Sequence, residues 1–350
     1  MRFHLIALPN VQTTKAYHLD GFCNITIRFA RLLKDLGHTV ILYASEENEA
    51  PCDELVTVIS KDEQKVLLDG CPYQYAMADQ RKALWERSIP RVATEIGRRK
   101  QRGDFMCSVG GLTHKCLADV HSDLMFVEFS VGYLSSFSNY RVFESQIWRH
   151  CVHGMQSNQM GKFFDEVIPM FFDEKAYPFK LDKEPFAVYV GRVIPNKGIS
   201  VACKAAKLAG VPLKVIGHGE PKLVTDGAEY LGALSDEQRD DWVSRASCLI
   251  CPTLYLEPFG AMAVEAQLCG TPVISTDFGG FVETVEQGKT GYRCKYLGEF
   301  VRGIKDAVKL DPTYIRSRAV GLYSMNKIKH DYQQYFERLN MLWDKGWDTL

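Results

Sequence analysis

Long hydrophobic runs are missing from this chain: no apolar stretch approaches the roughly 20 residues that a membrane-spanning helix requires. After Arg2 comes only FHLIAL, a run too short for the core of a secretion signal, so a cytoplasmic protein is expected. An excess of charge of one sign is missing too. Lys and Arg number 42 against 43 Asp and Glu, a formal net charge of −1, so no global field recruits nucleic acid or an anionic membrane, and only local basic patches could. The 11 cysteines show no disulfide pattern. They are scattered and odd in number, and the close pair Cys248 and Cys251 flanks apolar Leu249 and Ile250 with no second pair to complete a zinc site. Free, mostly buried thiols in a reducing compartment are expected. Repeats and low-complexity segments are absent. What remains is ordinary globular material, 46% hydrophobic and 24% charged over 350 residues, enough for about two domains with a core each.

The most informative stretch is 249–276, LICPTLYLEPFGAMAVEAQLCGTPVIST. Leu249 to Cys251 read as a buried strand closed by Pro252; Thr253 to Pro258 have no period and form a loop; Gly260 to Leu268 have helical spacing, stopped by Gly270; Pro272 to Ser275 start another buried strand. In an open parallel sheet, ligands bind outside the carboxyl ends of strands, where loops meet helix N-termini. Free N–H groups and a partial positive charge there suit a phosphate. Glu257 lies in the loop and Glu265 inside the helix. A carboxylate accepts two hydrogen bonds from a vicinal diol such as a ribose. An anion site flanked by two such carboxylates matches a nucleotide sugar. The same spacing also fits a capping Glu257 and a solvated Glu265.

EPFGAMAVEAQLCGTPVIST followed by GGFVETVEQGKTGY closely resembles the donor-site signature of retaining glycosyltransferase family four. The matching positions are Glu257, Pro258, Phe259, Gly260, Glu265, Gly270, Pro272, Val273, Gly279, Gly280, Glu283, Gly288, Gly291 and Tyr292. The resemblance extends upstream. FAVYVGR (186–192) followed by VIPNKG matches the family's GR…KG pattern, which implies that Gly191 admits a close backbone approach and that Arg192 and Lys197 bracket a diphosphate. The turn Gly217-His218-Gly219 resembles the next donor-site loop, with His218 either a ligand contact or a turn residue. Tyr230, Leu231 and Gly232 stand where the family contacts the base, and the Asp277–Gly280 loop is expected against the donor. The implied donor site is therefore Gly191, His218, Gly219, Leu231, Pro258, Phe259, Gly260 and Glu265, with Arg192, Lys197 and Glu257 at the reacting bond.

The first half matches only in outline. FHLIAL (3–8), a loop from Pro9 to Asp20, a helix from Phe22 to Leu36 and TVILYA (39–44) form a β-loop-α-β unit. Thr13, Thr14, Lys15 and His18 in that loop suit acceptor or phosphate contacts, or are an ordinary polar loop; the paired glycines usual in the family are absent. LVTVIS (55–60), FMCSVGG (105–111) and LMFVEFSVGY (124–133) read as further strands, and 73–103 as a helix ending in Arg98, Arg99, Lys100 and Arg102, either a solvated end or a contact for an anionic acceptor. The family often has a histidine near Glu128; Glu128 is expected either to face the reaction centre or to pair with an arginine. YRVFESQIWRH (140–150) is expected to be an amphipathic helix in which Arg141 and Glu144 could pair, with plain packing and surface charge the favoured reading. The last segment is amphipathic, with Ile328, Tyr332, Tyr335, Phe336, Leu339 and Trp343 at helical spacing.

The resemblance implies an α/β chain of GT-B architecture: two doubly wound, Rossmann-like domains facing a cleft. An acceptor-binding domain is expected over 1–172, a nucleotide-sugar domain over 173–325 and a helix returning to the first domain over 326–350. It implies retaining transfer of a sugar from a nucleotide-diphosphate sugar to a hydroxyl acceptor, with no cofactor and no metal; no Asp-x-Asp motif sits at a strand end. The compact first half, the TTK loop and YRVFES also resemble members encoded by bacterial viruses, which opens a hydroxymethylated base in DNA as acceptor beside a surface glycan or a small metabolite. The alternatives are a nucleotide-sugar epimerase of the same fold and a non-catalytic nucleotide-sugar-binding protein. Oligomeric state is not legible.

Overall fold

Strands covered by helices on both faces need near-continuous apolar sequence, and the buried runs of this chain have it. The computed structural model describes residues 1–17, 20–73, 76–157 and 161–345. They divide into two compact units. One comprises Met1–Glu144, Arg149–Ile168 and the chain from Lys329 on; the other comprises Ser145–Trp148 and Pro169–Ile328.

The first unit holds a seven-stranded sheet: β1 (Arg2–Ile6), β2 (Thr39–Ser45), β3 (Glu54–Ile59), β4 (Phe105–Ser108), β5 (Met125–Val131), β6 (Tyr140–Phe143) and β7 (Glu166–Val167). Their order is β3-β2-β1-β4-β5-β6-β7, and every pairing is parallel. The order reverses direction between β1 and β4, so the loop after β1 stands at the switch point, the usual place for a ligand in such sheets. The helix Gly21–Asp35 starts on Asp20, whose carboxylate accepts from the Cys23 amide at 3.0 Å, and buries Phe29, Leu32 and Leu33. Phe29 stacks on Phe129 with ring centroids 3.9 Å apart. The closing helix, Met325–Lys345, adds Tyr332, Tyr335, Phe336 and Leu339 to this core; Phe336 meets Phe3 edge-on at 4.7 Å. Ile328 is buried as expected, while the side chain of Trp343 lies outside the described residues.

The second unit holds β8 (Glu184–Val190), β9 (Leu213–Ile216), β10 (Glu229–Gly232), β11 (Ala246–Cys251), β12 (Val273–Thr276) and β13 (Gly291–Cys294). Their order is β10-β9-β8-β11-β12-β13, again wholly parallel. Here the switch point falls between β8 and β11. The helix Ala261–Leu268 leaves the loop after β11, and its C-terminal end is gripped by two cations. Lys183 Nζ donates to Ser244 O at 2.7 Å, Cys269 O at 3.0 Å and Thr271 Oγ1 at 3.0 Å, while Arg316 donates to Leu268 O and Tyr177 O. Cations at that end oppose the helix dipole and satisfy its last carbonyls. Burial pulls Lys183 down to about 8.

Two expectations for the first half are corrected. Residues 140–150 do not form one helix: Tyr140–Phe143 is the buried strand β6, and the helix is Gln146–Met155. Arg141 does not pair with Glu144. Its fork grips Asp165, Nε to Oδ1 at 2.8 Å and Nη2 to Oδ2 at 2.5 Å, with no exposed surface. The basic helix end is neutralised at home: Arg98 pairs with Glu95, Arg99 with Glu54 at 2.7 Å and Lys100 with Asp123. That pattern belongs to a solvated helix end, not to an anion contact.

Candidate active site

The four loops at the switch point of the second sheet are sewn together through backbone, and glycines make the stitching possible. After β8, Gly191 has φ +152° and its N–H donates to Ile216 O at 3.0 Å. The neighbouring Gly217, φ +143°, lies so close to it that a Cβ would stand 1.9 Å from Gly191 O. Val193 N–H donates to His218 O at 2.8 Å, and Glu220 N–H to Val193 O at 2.9 Å, so the β8 and β9 loops run as a ladder. The end of β10 joins them: Gly217 N–H donates to Gly232 O, and the Tyr230 hydroxyl to Gly217 O, both at 2.8 Å. On the other side, Leu254 N–H donates to Asn196 O at 2.9 Å.

Gly198 has φ +72°, and a Cβ there would lie 1.9 Å from Pro252 O. Gly198→Ala therefore costs the left-handed backbone penalty of about 1–2 kcal/mol plus displacement of the β11 loop. Gly210, at φ +75° with nothing nearby, serves as the control that meets only the first cost. The expected result is a larger loss of melting temperature for Gly198→Ala than for Gly210→Ala, with nucleotide binding lost only in the former. Equal effects would mean that the close approach is not needed.

Three candidate side chains converge on this frame. Lys197, at the end of a short 3-10 turn (Pro195–Lys197), donates to Glu257 Oε2 at 2.8 Å and lies over the Tyr255 ring, 5.0 Å from its centroid. Burial works against its charge, and Glu257 more than compensates, so Lys197 is raised above the usual ammonium range. Arg192 is exposed, with no hydrogen-bond or ion-pair partner for its guanidinium among the described residues; its carbonyl is held by the Tyr189 hydroxyl at 2.8 Å. Glu257 is anchored through its backbone, its carbonyl accepting from Gly280 N–H at 2.7 Å.

The rest of the motif shapes the helix start. Gly260, φ +85°, caps Ala261–Leu268, and a Cβ there would meet the Phe281 ring at 2.7 Å. Phe259 is buried, and a Cβ on Gly280 would lie 2.6 Å from its Cα. The Asp277–Gly280 loop thus presses on the backbone of Glu257 and Phe259. Pro258 O accepts from Ser145 Oγ at 2.6 Å, and Glu283 accepts from the amides of Gln146 at 3.1 Å and Ile147 at 2.9 Å. Glu265, in the second turn of the helix, is buried, 3.7 Å from Arg239 Nη2. His218 and Leu231 are half-buried at the ends of β9 and β10, and Gly219 is exposed beside them with φ +140°.

The first-unit candidates are placed differently. Thr13 and Thr14 are buried, and their amides bond Glu47 O at 3.0 Å and Gln12 O at 2.9 Å; Lys15 is exposed, its amide on Glu49 Oε2 at 3.2 Å. His18 lies outside the described residues. Glu128 departs from the expectation that it faces a reaction centre and from the expected arginine pairing. It is fully buried, with Oε2 accepting from the amides of Phe137 at 2.8 Å and Ser138 at 2.7 Å and Oε1 from the Tyr133 hydroxyl at 3.1 Å. Burial pushes its pKa up from the usual carboxylate range, and those bonds counter it. Its visible work is to hold the 133–138 loop.

Two neighbours escaped sequence reading. Tyr255 could have been found, as an aromatic two residues before Glu257. Arg239 could not, because it sits in SDEQRDDW, a run that reads as solvated surface.

Comparison with known proteins finds likenesses over this region. The family model described as glycosyl transferases group 1 matches residues 171–319. That match is to a glycosyl transferases group 1 domain, and it covers the part of the chain that holds the β8–β13 sheet. Phosphatidyl-myo-inositol mannosyltransferase of Propionibacterium freudenreichii is 32% identical over 118 residues, 31% of this chain and 31% of that protein. D-inositol 3-phosphate glycosyltransferase of Rhodococcus erythropolis is 34% identical over 129 residues, 31% and 29% of the two chains. The match thus spans about a third of these curated relatives. Among solved structures, a glycosyltransferase involved in avilamycin A biosynthesis aligns over 97% of this chain and 98% of its own at a TM-score of 0.70 and 19% identity. The Anabaena protein HepE, solved with UDP and glucose, aligns over 97% and 100% at 0.70 and 15% identity. At those identities the likeness is one of fold: the two doubly wound sheets match the GT-B architecture of these neighbours, and the group 1 match contains the β8–β13 sheet.

Proposed function

We propose that this chain is a metal-independent, retaining glycosyltransferase that moves a sugar from a nucleotide-diphosphate sugar to a hydroxyl acceptor. The observation that carries this reading is the convergence of Arg192, Lys197 and Glu257 on loops flanking the β8/β11 switch point. Arg192, with no protein partner for its guanidinium among the described residues, takes the diphosphate together with Lys197, and their charge stabilises the departing nucleotide. Glu265 accepts from the ribose diol, and Glu257 from hydroxyls of the transferred sugar. Leu231 meets the base. The acceptor attacks from the face the nucleotide leaves; of the loop candidates Thr13, Thr14 and Lys15, the two threonines are buried and only Lys15 is exposed to meet it. The C1–O(phosphate) bond breaks, the C1–O(acceptor) bond forms, and the acceptor proton passes to the departing diphosphate. Glu128 is left out of this chemistry, because both of its oxygens are committed to a loop.

Relatives named for inositol acceptors favour a small polyol or its phosphate over a hydroxymethylated DNA base, and HepE with UDP makes uridine donors the first to try. A thermal-shift screen of UDP- and GDP-sugars is the test. A ligand at a hundred times its dissociation constant adds about 2.7 kcal/mol of stability. Incubating the best donor with inositol phosphate should release nucleotide and give a product with the donor's anomeric configuration by NMR. An epimerised donor without nucleotide release would establish the epimerase instead, an inverted linkage would end the claim of retention, and binding without any turnover would leave a nucleotide-sugar-binding protein. A mobility shift with duplex DNA carrying hydroxymethylated cytosine would restore the DNA acceptor.

A further inference from the structure

A buried carboxylate has to be held in its charged form and in one direction if it is to read a diol. Glu265 is such a group, with a side chain 10% exposed, and Arg239 of another helix places Nη2 3.7 Å from its Oε2. We propose that Arg239 is a positioning residue for the nucleotide: it fixes Glu265 toward the ribose, so that preference for a ribonucleotide is set on the helix Asp236–Arg245 without that helix touching the ligand. This rests on the reading of Glu265 as the ribose contact.

The geometry of the guanidinium supports the assignment. Arg239 Nε donates to Asp240 Oδ1 at 2.8 Å, and Nη1 donates to Asp236 Oδ1 at 2.7 Å. Two of its three nitrogens are therefore tied to carboxylates of its own helix, and the planar fork leaves Nη2 directed at Glu265 Oε2, 3.7 Å away. The helix is itself fixed at its start: Ser235 Oγ accepts from the Gln238 amide at 3.3 Å, and Gln238 Oε1 accepts from the Ser235 amide at 3.2 Å. Arg239 is thus pre-aimed, with a side chain only 18% exposed. At 3.7 Å it orients Glu265 without a short hydrogen bond to it. The same stretch leads out of β10, whose Leu231 is the proposed base contact, so a single segment, 229–240, would read the base directly and the ribose through Glu265.

The test is calorimetric titration of UDP, GDP and their 2′-deoxy forms into wild type, Glu265→Gln, Arg239→Met, Arg239→Lys and the Arg239→Met/Glu265→Gln double variant. Hydrogen bonds to charged groups contribute about 1.5–3 kcal/mol, so wild type should prefer the ribo form by about ten-fold or more. Glu265→Gln should cut that ratio to about three-fold or less. Arg239→Met should cut it as far while leaving affinity for the deoxy form within about three-fold, and the double variant should fall no further. Arg239→Lys should recover part of the ratio. If Arg239→Met keeps the full preference while Glu265→Gln loses it, the inference is wrong and the ribose contact stands. If Glu265→Gln keeps it, or if neither nucleotide binds, the ribose contact itself is wrong and the inference goes with it. Should Arg239→Met fail to fold by its melting curve, Asp236→Asn, which frees Nη1, should give an intermediate ratio; an unchanged ratio there overturns the proposal.

Discussion

Glu257→Gln should abolish sugar transfer and, at the same time, bind free nucleoside diphosphate more tightly than wild type. The first effect follows from the proposed grip of Glu257 on the sugar; losing a preorganised polar contact at the reacting centre costs on the order of 10²–10³ in rate. The second follows from the resting site, where Glu257 occupies Lys197 at 2.8 Å. A diphosphate has to take Lys197 from that carboxylate, and only then is Glu257 released to the sugar. Removing the carboxylate charge leaves the ammonium free, and a gain of about ten-fold, equivalent to ~1.4 kcal/mol, is expected for UDP or GDP. General repulsion between Glu257 and the diphosphate would produce a similar gain. The Lys197→Met background separates the two, because there the gain from Glu257→Gln should shrink to about three-fold or less. Undiminished turnover in Glu257→Gln, or weaker nucleotide binding, would overturn the assignment.

Asp165→Asn should destabilise the protein by about 3–5 kcal/mol, the usual cost of leaving one partner of a buried ion pair uncompensated. Arg141 has no exposed surface and spends two nitrogens on Asp165, with Nη1 on Gln156 Oε1 at 3.0 Å and Ser136 Oγ at 3.2 Å. His153 Nε2 also reaches Asp165 at 2.6 Å, so the carboxylate joins β6, the helix Gln146–Met155 and the approach to β7. Urea unfolding reads the effect. With a slope of about 2–3 kcal/mol/M, the midpoint of the transition that includes the first unit falls by about 1–2 M. A change under about 1 kcal/mol would show that the guanidinium finds other partners or water. Because no candidate donor residue is involved, nucleotide binding by the folded variant should be unchanged.

The loops at the β8/β11 switch point were legible because what they need is local. Gly191, Gly198, Gly217 and Gly260 stand where the backbone takes positive φ or another chain segment passes too near for a Cβ, and those demands leave a glycine in the sequence. The strands were legible for a similar reason, since burial on both faces writes a continuous apolar run. The 140–150 segment misled because Tyr140, Val142 and Phe143, followed by Ile147 and Trp148, satisfy a helical spacing and a strand-turn-helix equally well. The buried pairing of β6 between β5 and β7 settled it. Glu128 misled because a carboxylate at a strand end looks the same in sequence whether it meets a substrate or two amides of the next loop.

By itself the sequence determined the doubly wound α/β class and the strand, loop and helix that carry the Glu257–Glu265 motif after β11. Each of these depends on neighbours a few positions away. The partners of the charges were decided by tertiary structure alone: Lys197 with Glu257, Arg239 with Glu265 and Arg141 with Asp165 are separated by 60, 26 and 24 positions. A charge can be satisfied by any opposite charge the fold brings within reach, and backbone propensity carries no information about which one that is.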